Sequence, residues 1–160
     1  MCAGIRGAPR GRHVSKRKGL EAYRERNELL RSMGYPSYTD YLASDLWKRI
    51  RRKVFARTTA CEVCGTQKAT QVHHRSYIRP VLTGHRLDLL VACCRTCHET
   101  CEFDGTRKAG MSETNTRMSK LALRNKKVLP FICRACRSNP TKPQVDRCGR
   151  CVRENRPCVV

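Results

Sequence analysis

Two stretches decide how this chain reads: CEVCGTQKATQVHHRSY at 61–77 and LLVACCRTCHE at 89–99. The first opens on the knuckle Cys61-x-x-Cys64 and carries the pair His73-His74. The second carries Cys94-x-x-Cys97 with His98 directly behind it. Each Cys-x-x-Cys presents two sulfurs from one tight turn, so the two knuckles, 29 residues apart (65–93), can close a tetrahedral four-thiolate zinc site. Gly65 stands just after the first knuckle, where such a turn commonly needs positive φ. Cys93 duplicates the start of the second knuckle and is expected to pack as a small apolar residue. Short apolar runs lie between the knuckles, and a helix is expected near 95–103, with Cys101 on its buried side.

Upstream, LWKRIRRKVFA repeats Trp47, Ile50 and Val54 at helical spacing behind a Ser44-Asp45 N-cap. That stripe is expected to be buried, while Lys48, Arg49, Arg51, Arg52 and Lys53 fall on other faces. Those cations are either a solvated surface or a DNA-backbone contact. Leu20 to Met33 also reads as a helix, with Leu20, Tyr23, Asn27 and Leu30 along one side and Gly34 as its stop. Residues 1–18 form an acid-free basic arm, expected to be disordered. The organisation read from the chain is therefore a basic arm at 1–18, a helical segment at 19–44, a Cys/His domain at 45–103, a basic linker at 104–130 with a short helix around 117–127, and a Cys-rich module at 131–160.

The whole-chain figures agree with small, metal-stapled modules. The chain has 160 residues, 12 Cys and 5 His, but only 39% hydrophobic and 6% aromatic residues, too few for a large core. Lys+Arg total 34 against 13 Asp+Glu, a formal charge of +21, and charge of that density calls for a polyanionic partner. DNA is the expected partner and no membrane is. With no stretch resembling a secretory signal or membrane span, a reducing, cytoplasmic setting is expected, nucleoid-associated if bacterial. That setting favours zinc over disulfides.

The composite CxxC…VHHRSY…LLVACCRTCHE resembles the HNH endonucleases, the ββα-metal nucleases that include colicin-type DNases and McrA-like restriction enzymes. YLASDLWKRIRRKVFAR also looks like the helix often found just upstream of such modules. The resemblance covers about 45–103 and implies an α+β fold: a small zinc-stabilised ββα-metal domain behind upstream helices, followed by a zinc-ribbon-like module. It further implies hydrolysis of DNA phosphodiester bonds, with His74 as general base and His73 and His98 holding a catalytic divalent ion such as Mg²⁺. Glu102, four residues after His98, falls on the same helix face and can either add a carboxylate ligand or hold His98 in place from behind. Arg75 follows the histidine pair and is grouped with Arg49, Arg51, Arg52 and Lys53 as a nucleic-acid contact.

One position departs from the family. An Asn, sometimes Asp, usually stands five residues before the first Cys of the second knuckle, where it fixes the loop that orients the base. Here that position is Leu89, and Asp88 lies one residue out of register, with His85 a weaker substitute. A degenerate, non-catalytic HNH fold that only binds nucleic acid is thus the alternative. Adjacent strand residues also point to opposite faces, so one of the two histidines can belong to the core.

Near the C-terminus, Cys133-x-x-Cys136 and Cys148-x-x-Cys151 flank 11 residues (137–147), a spacing that suits a second zinc, with Cys158 able to replace one ligand. Such a ribbon docks a protein partner or adds DNA contact. Double-strand cutting by a single site of this type would call for a dimer.

Overall fold

The computed structural model describes residues 16–127 together with 129, 131–132 and 140–141. Residues 1–15 of the arm expected at 1–18 and the second cysteine set, Cys133, Cys136, Cys148 and Cys151, lie outside the described residues, while residues 16–18 are helical instead of part of a disordered arm. The architecture is α+β: three helices, α1 (Lys16–Ser32), α2 (Tyr38–Ala43) and α3 (Asp45–Arg57), precede a hairpin of β1 (Gln71–His74) and β2 (Leu90–Cys93). Between the two strands lie the short α4 (Arg79–Leu82) and a 3₁₀ turn at Leu87–Leu89. Then come α5 (Arg95–Glu102), a small hairpin of β3 (Phe103–Asp104) and β4 (Arg107–Lys108), α6 (Met111–Arg124), and the pair β5 (Phe131–Ile132) and β6 (Pro140–Thr141). No helix among the described residues is long and apolar enough to cross a membrane.

Local chemistry explains where the helices stop and start. After α1, Gly34 takes φ +89°, with Tyr35 N donating to Leu30 O and Gly34 N to Arg31 O. Those paired bonds close the last turn in a geometry that suits glycine. Ser37 caps α2, accepting from Asp40 N, and Ser44 caps α3, accepting from Trp47 N. Trp47, Ile50 and Val54 are buried on α3, as their spacing predicts.

The β1–β2 hairpin is buried on both faces, and strand alternation sorts its residues between two cores. Leu90 and Ala92 join Leu30, Tyr41, Trp47, Ile50 and Val54 on the side of the upstream helices. Val91 and Cys93 join Cys61, Val63, Cys94, Cys97, Cys101, Met118 and Ala122 on the other. Cys93 and Cys101 thus pack as apolar residues. Antiparallel register pairs His73 with Val91 and His74 with Leu90, so the two histidines are divided in the same way.

The segment 104–130, expected to be a linker with a helix around 117–127, instead carries the 14-residue α6 beginning at Met111. Gly110 offers no capping side chain there, so the start is unmarked in sequence. Asn115, Met118, Ser119 and Ala122 recur at i, i+3, i+4 and i+7 along its buried face.

Candidate metal centre and cleft

The two knuckles meet as expected. One sulfur from each of Cys61, Cys64, Cys94 and Cys97 lies within 4.8 Å of the others, a grouping that can hold zinc. Gly65 has φ +74° and its N–H donates to Cys61 O. Backbone N–H groups already point at sulfur: Cys64 N to Cys61 Sγ at 3.5 Å and Cys97 N to Cys94 Sγ at 3.4 Å. Burial opposes the Cys64 thiolate, but hydrogen bonds from Thr66, Gln67 and Cys61 outweigh it and bring that thiol down to about 6. Burial pushes Cys94 and Cys97 up, so the metal's charge is what would hold all four as thiolates. Glu62 ties the first knuckle to β2: its N–H donates to Ala92 O, and its carboxylate accepts from Ala92 N at 2.6 Å and from Arg57 at 2.8 Å.

A second grouping forms on the neighbouring side of α5, where one ligand atom from each of His73, His98 and Glu102 lies within 4.8 Å of the others. His98 Nε2 is 3.6 Å from a Glu102 oxygen, and the second Glu102 oxygen is 3.6 Å from Lys108 Nζ. His73 is oriented by Asn115, which is not among the residues expected at the site. Asn115 Nδ2 donates to the Arg75 carbonyl at 2.7 Å, and Oδ1 meets His73 Nε2 at 3.3 Å. A carbonyl only accepts, so the amide orientation is fixed and Nε2 must carry the proton. The lone pair of His73 is then on Nδ1, where it can ligate. Two imidazoles and a carboxylate suit a divalent ion.

His74 lies on the other side of the hairpin, in an aromatic cage. Its ring stacks on Trp47 at 4.5 Å between centroids and on Tyr77 at 5.5 Å, and Nδ1 is 3.2 Å from the Tyr38 hydroxyl. Nε2 is buried and has no hydrogen-bond partner among the described residues. Burial first, then the neighbouring His98, holds His73 at about 3. Burial, then His73 and Arg26, does the same for His74. Both are neutral at pH 7. Despite facing opposite sides of the hairpin, His73 and His74 line one cleft of about 640 Å³ together with His98, Glu102, Arg26, Arg51 and Lys108.

Asp88, His85 and Arg75, each expected at the site, do not come to this cleft. Asp88 is exposed and forks onto Arg86 through bonds of 2.8 and 2.7 Å. Leu89 is buried in the core, and exposed His85 is bonded to Thr83 at 2.7 Å. Arg75, grouped with the nucleic-acid contacts, is only 1% exposed, with Nη2 donating to Ser119 at 2.7 Å. Burial lowers it to about 10, and it has no surface to offer a phosphate. Arg49, Arg52 and Lys53 are exposed on α3, which suits a solvated surface and a contact face alike. Arg51 lines the cleft, donating to Thr70 O at 3.2 Å. A sequence signal for Asn115 did exist: it and Ser119 are polar residues on the apolar stripe of α6.

Compared with family models, with curated proteins and with solved structures, the chain matches none.

Proposed function

We propose that this protein is an HNH-type endonuclease that hydrolyses DNA phosphodiester bonds with a divalent ion. The observation that carries the reading is the meeting of His73, His98 and Glu102 with His74 in a single cleft, beside a four-cysteine cluster. The order of β1, β2 and α5, the excess of 34 basic over 13 acidic residues and the exposed cations of α3 support it.

His73, His98 and Glu102 are the ligands. A bound divalent ion would neutralise charge developing on the scissile phosphate and the leaving oxygen. His74 accepts the proton of the attacking water through Nε2, which no group among the described residues occupies. Asn115 does the work of the family's missing Asn: it holds the carbonyl of Arg75, next to the base, from a downstream helix instead of from Leu89. Arg26, Arg51 and Lys108 supply positive charge to a phosphate entering the cleft.

One observation favours a second reading, a non-catalytic zinc-dependent nucleic-acid-binding protein: His74 is 3% exposed and solvent does not reach Nε2. Supercoiled plasmid with and without Mg²⁺ or Mn²⁺ separates the two. The nuclease reading expects metal-dependent relaxation or linearisation, reduced about 10²–10⁴-fold by His74→Ala and by the bulkier His74→Gln, with gel-shift binding retained. Intact plasmid across metals, with binding retained, selects the second reading.

A further inference from the structure

Arg26, Arg51 and Lys108 line the cleft, and among the described residues that line it Glu102 is the one acid. The three cations are not equivalent. Lys108 Nζ is engaged by Glu102 at 3.6 Å. Arg51 donates to the Thr70 carbonyl at 3.2 Å, with its guanidinium over the Phe55 ring. Arg26 comes from α1, upstream of the stretch at 45–103, and is held in another way.

Several arginines elsewhere are fixed by carboxylates: Arg57 by Glu62 at 2.8 Å, Arg86 by Asp88 at 2.7 Å, and Arg107 and Arg117 by Glu113 at 2.9 and 2.6 Å. Such a pair orders the side chain but cancels its charge. Arg26 is ordered without an acid. Its guanidinium lies 3.9 Å over the Tyr38 ring and 5.1 and 5.2 Å from the ring centroids of Tyr23 and Tyr77. Nε and Nη2 both donate to Asn27 Oδ1, at 3.0 and 2.8 Å. A ring face attracts a cation through its quadrupole and leaves the positive charge in place. A guanidinium carries five N–H groups in a planar fork, and Asn27 takes two, so donors remain for a second acceptor. A fork that is already ordered and not neutralised, on the wall of a cleft, suits a phosphate, because little freedom is left to lose on binding.

We infer that Arg26 grips a backbone phosphate of DNA in the cleft, and that the rings of Tyr23, Tyr38 and Tyr77 hold its guanidinium in place without neutralising it. Tyr38, whose face is nearest, is the positioning residue. α1 thereby becomes part of the site, although the stretch that resembles the nuclease module starts at 45. The effect on cleavage rests on the nuclease reading above; the phosphate contact does not, since a binding protein would use the same cleft.

The test is the affinity of the zinc-loaded full chain for a short DNA duplex over a range of salt concentrations, without added Mg²⁺ or Mn²⁺. Each phosphate contact adds about 0.9 to the slope of log affinity against log salt. Arg26→Gln should weaken binding and lower that slope by about one. Arg24→Gln removes the same charge from an exposed site on α1 outside the cleft, where Arg24 pairs with Glu28 at 3.7 Å, and should change the slope far less. Arg26→Lys keeps the charge but not the fork, and its affinity should fall between wild type and Arg26→Gln. Tyr38→Leu should reproduce part of the loss, and Tyr38→Phe, which keeps the ring face, should restore it. In plasmid cleavage Arg26→Gln should lower kcat/KM about tenfold or more. A slope unchanged in Arg26→Gln overturns the inference, even if the melting temperature falls, because Arg26 then only braces the tyrosines. Equal slope losses in Arg24→Gln and Arg26→Gln overturn it as well, since general charge would account for both. If wild type binds DNA but does not cleave it, the nuclease reading fails while the salt slope still decides Arg26.

Discussion

Cys97 and His98 are adjacent on α5, yet each belongs to a different ligand cluster, and the two clusters differ in how they are closed. The cysteine cluster has four ligands from two knuckles, three of them buried, with backbone N–H groups already turned toward sulfur. The histidine cluster has three ligands, leaves about a fifth of the His98 and Glu102 side chains exposed, and borders an open cleft with cations around it. Four closed ligands make a structural staple. Three ligands beside a cleft leave room for another molecule at an ion. One short helix can serve both because neighbouring positions on it point to different sides of the helix.

The strongest way to break this comparison is to damage the closed cluster. Cys97→Ser should strip zinc and unfold the hairpin–α5–α6 unit, since a structural zinc site of this type contributes on the order of 10 kcal/mol to folding. Zinc content and a thermal melt would check it, and a variant that melts like wild type would remove the staple from the account. Next in size is Trp47→Ala. Trp47 is 4% exposed and stacks on His74, so the loss should be ~3–5 kcal/mol in urea denaturation.

Acid should act through the histidines. His73 and His74 are held near 3 in the folded chain, against 6.5 unfolded, so between those values the unfolded chain binds more protons. Their contribution is complete above about pH 6.5 and is lost as pH falls through that value toward 3. Melting temperatures from about pH 7.5 down to 5.5 should fall, and fall less steeply in His74→Gln. The smallest effect belongs to Asp88→Asn, which breaks an exposed fork with Arg86. Stability should change by less than about 1 kcal/mol, and plasmid cleavage should not change at all. Lost cleavage would bring Asp88 back to the site.

What the sequence made legible was local. Two knuckles at fixed spacing, His98 beside the second and Glu102 one turn later all report their partners within a few residues, and the α3 stripe follows from its period. What it hid was long-range. Asn115 reaches the hairpin from 42 residues beyond His73, and Tyr38 reaches His74 from 36 residues before it. No short pattern records such a contact. Arg75 misled for a related reason. In a strongly basic chain it reads as one more surface cation, but it ends up under α6 with Ser119. The aromatic cage was not legible as a unit, since its members come from α1, α2, α3 and the segment after β1.

The most direct test of two clusters with two jobs is to measure zinc content, melting temperature and metal-dependent plasmid cleavage in His98→Ala beside wild type. The account predicts wild-type zinc, a melting temperature close to wild type and cleavage lost. Cleavage that survives His98→Ala, or zinc that leaves with it, would contradict the account.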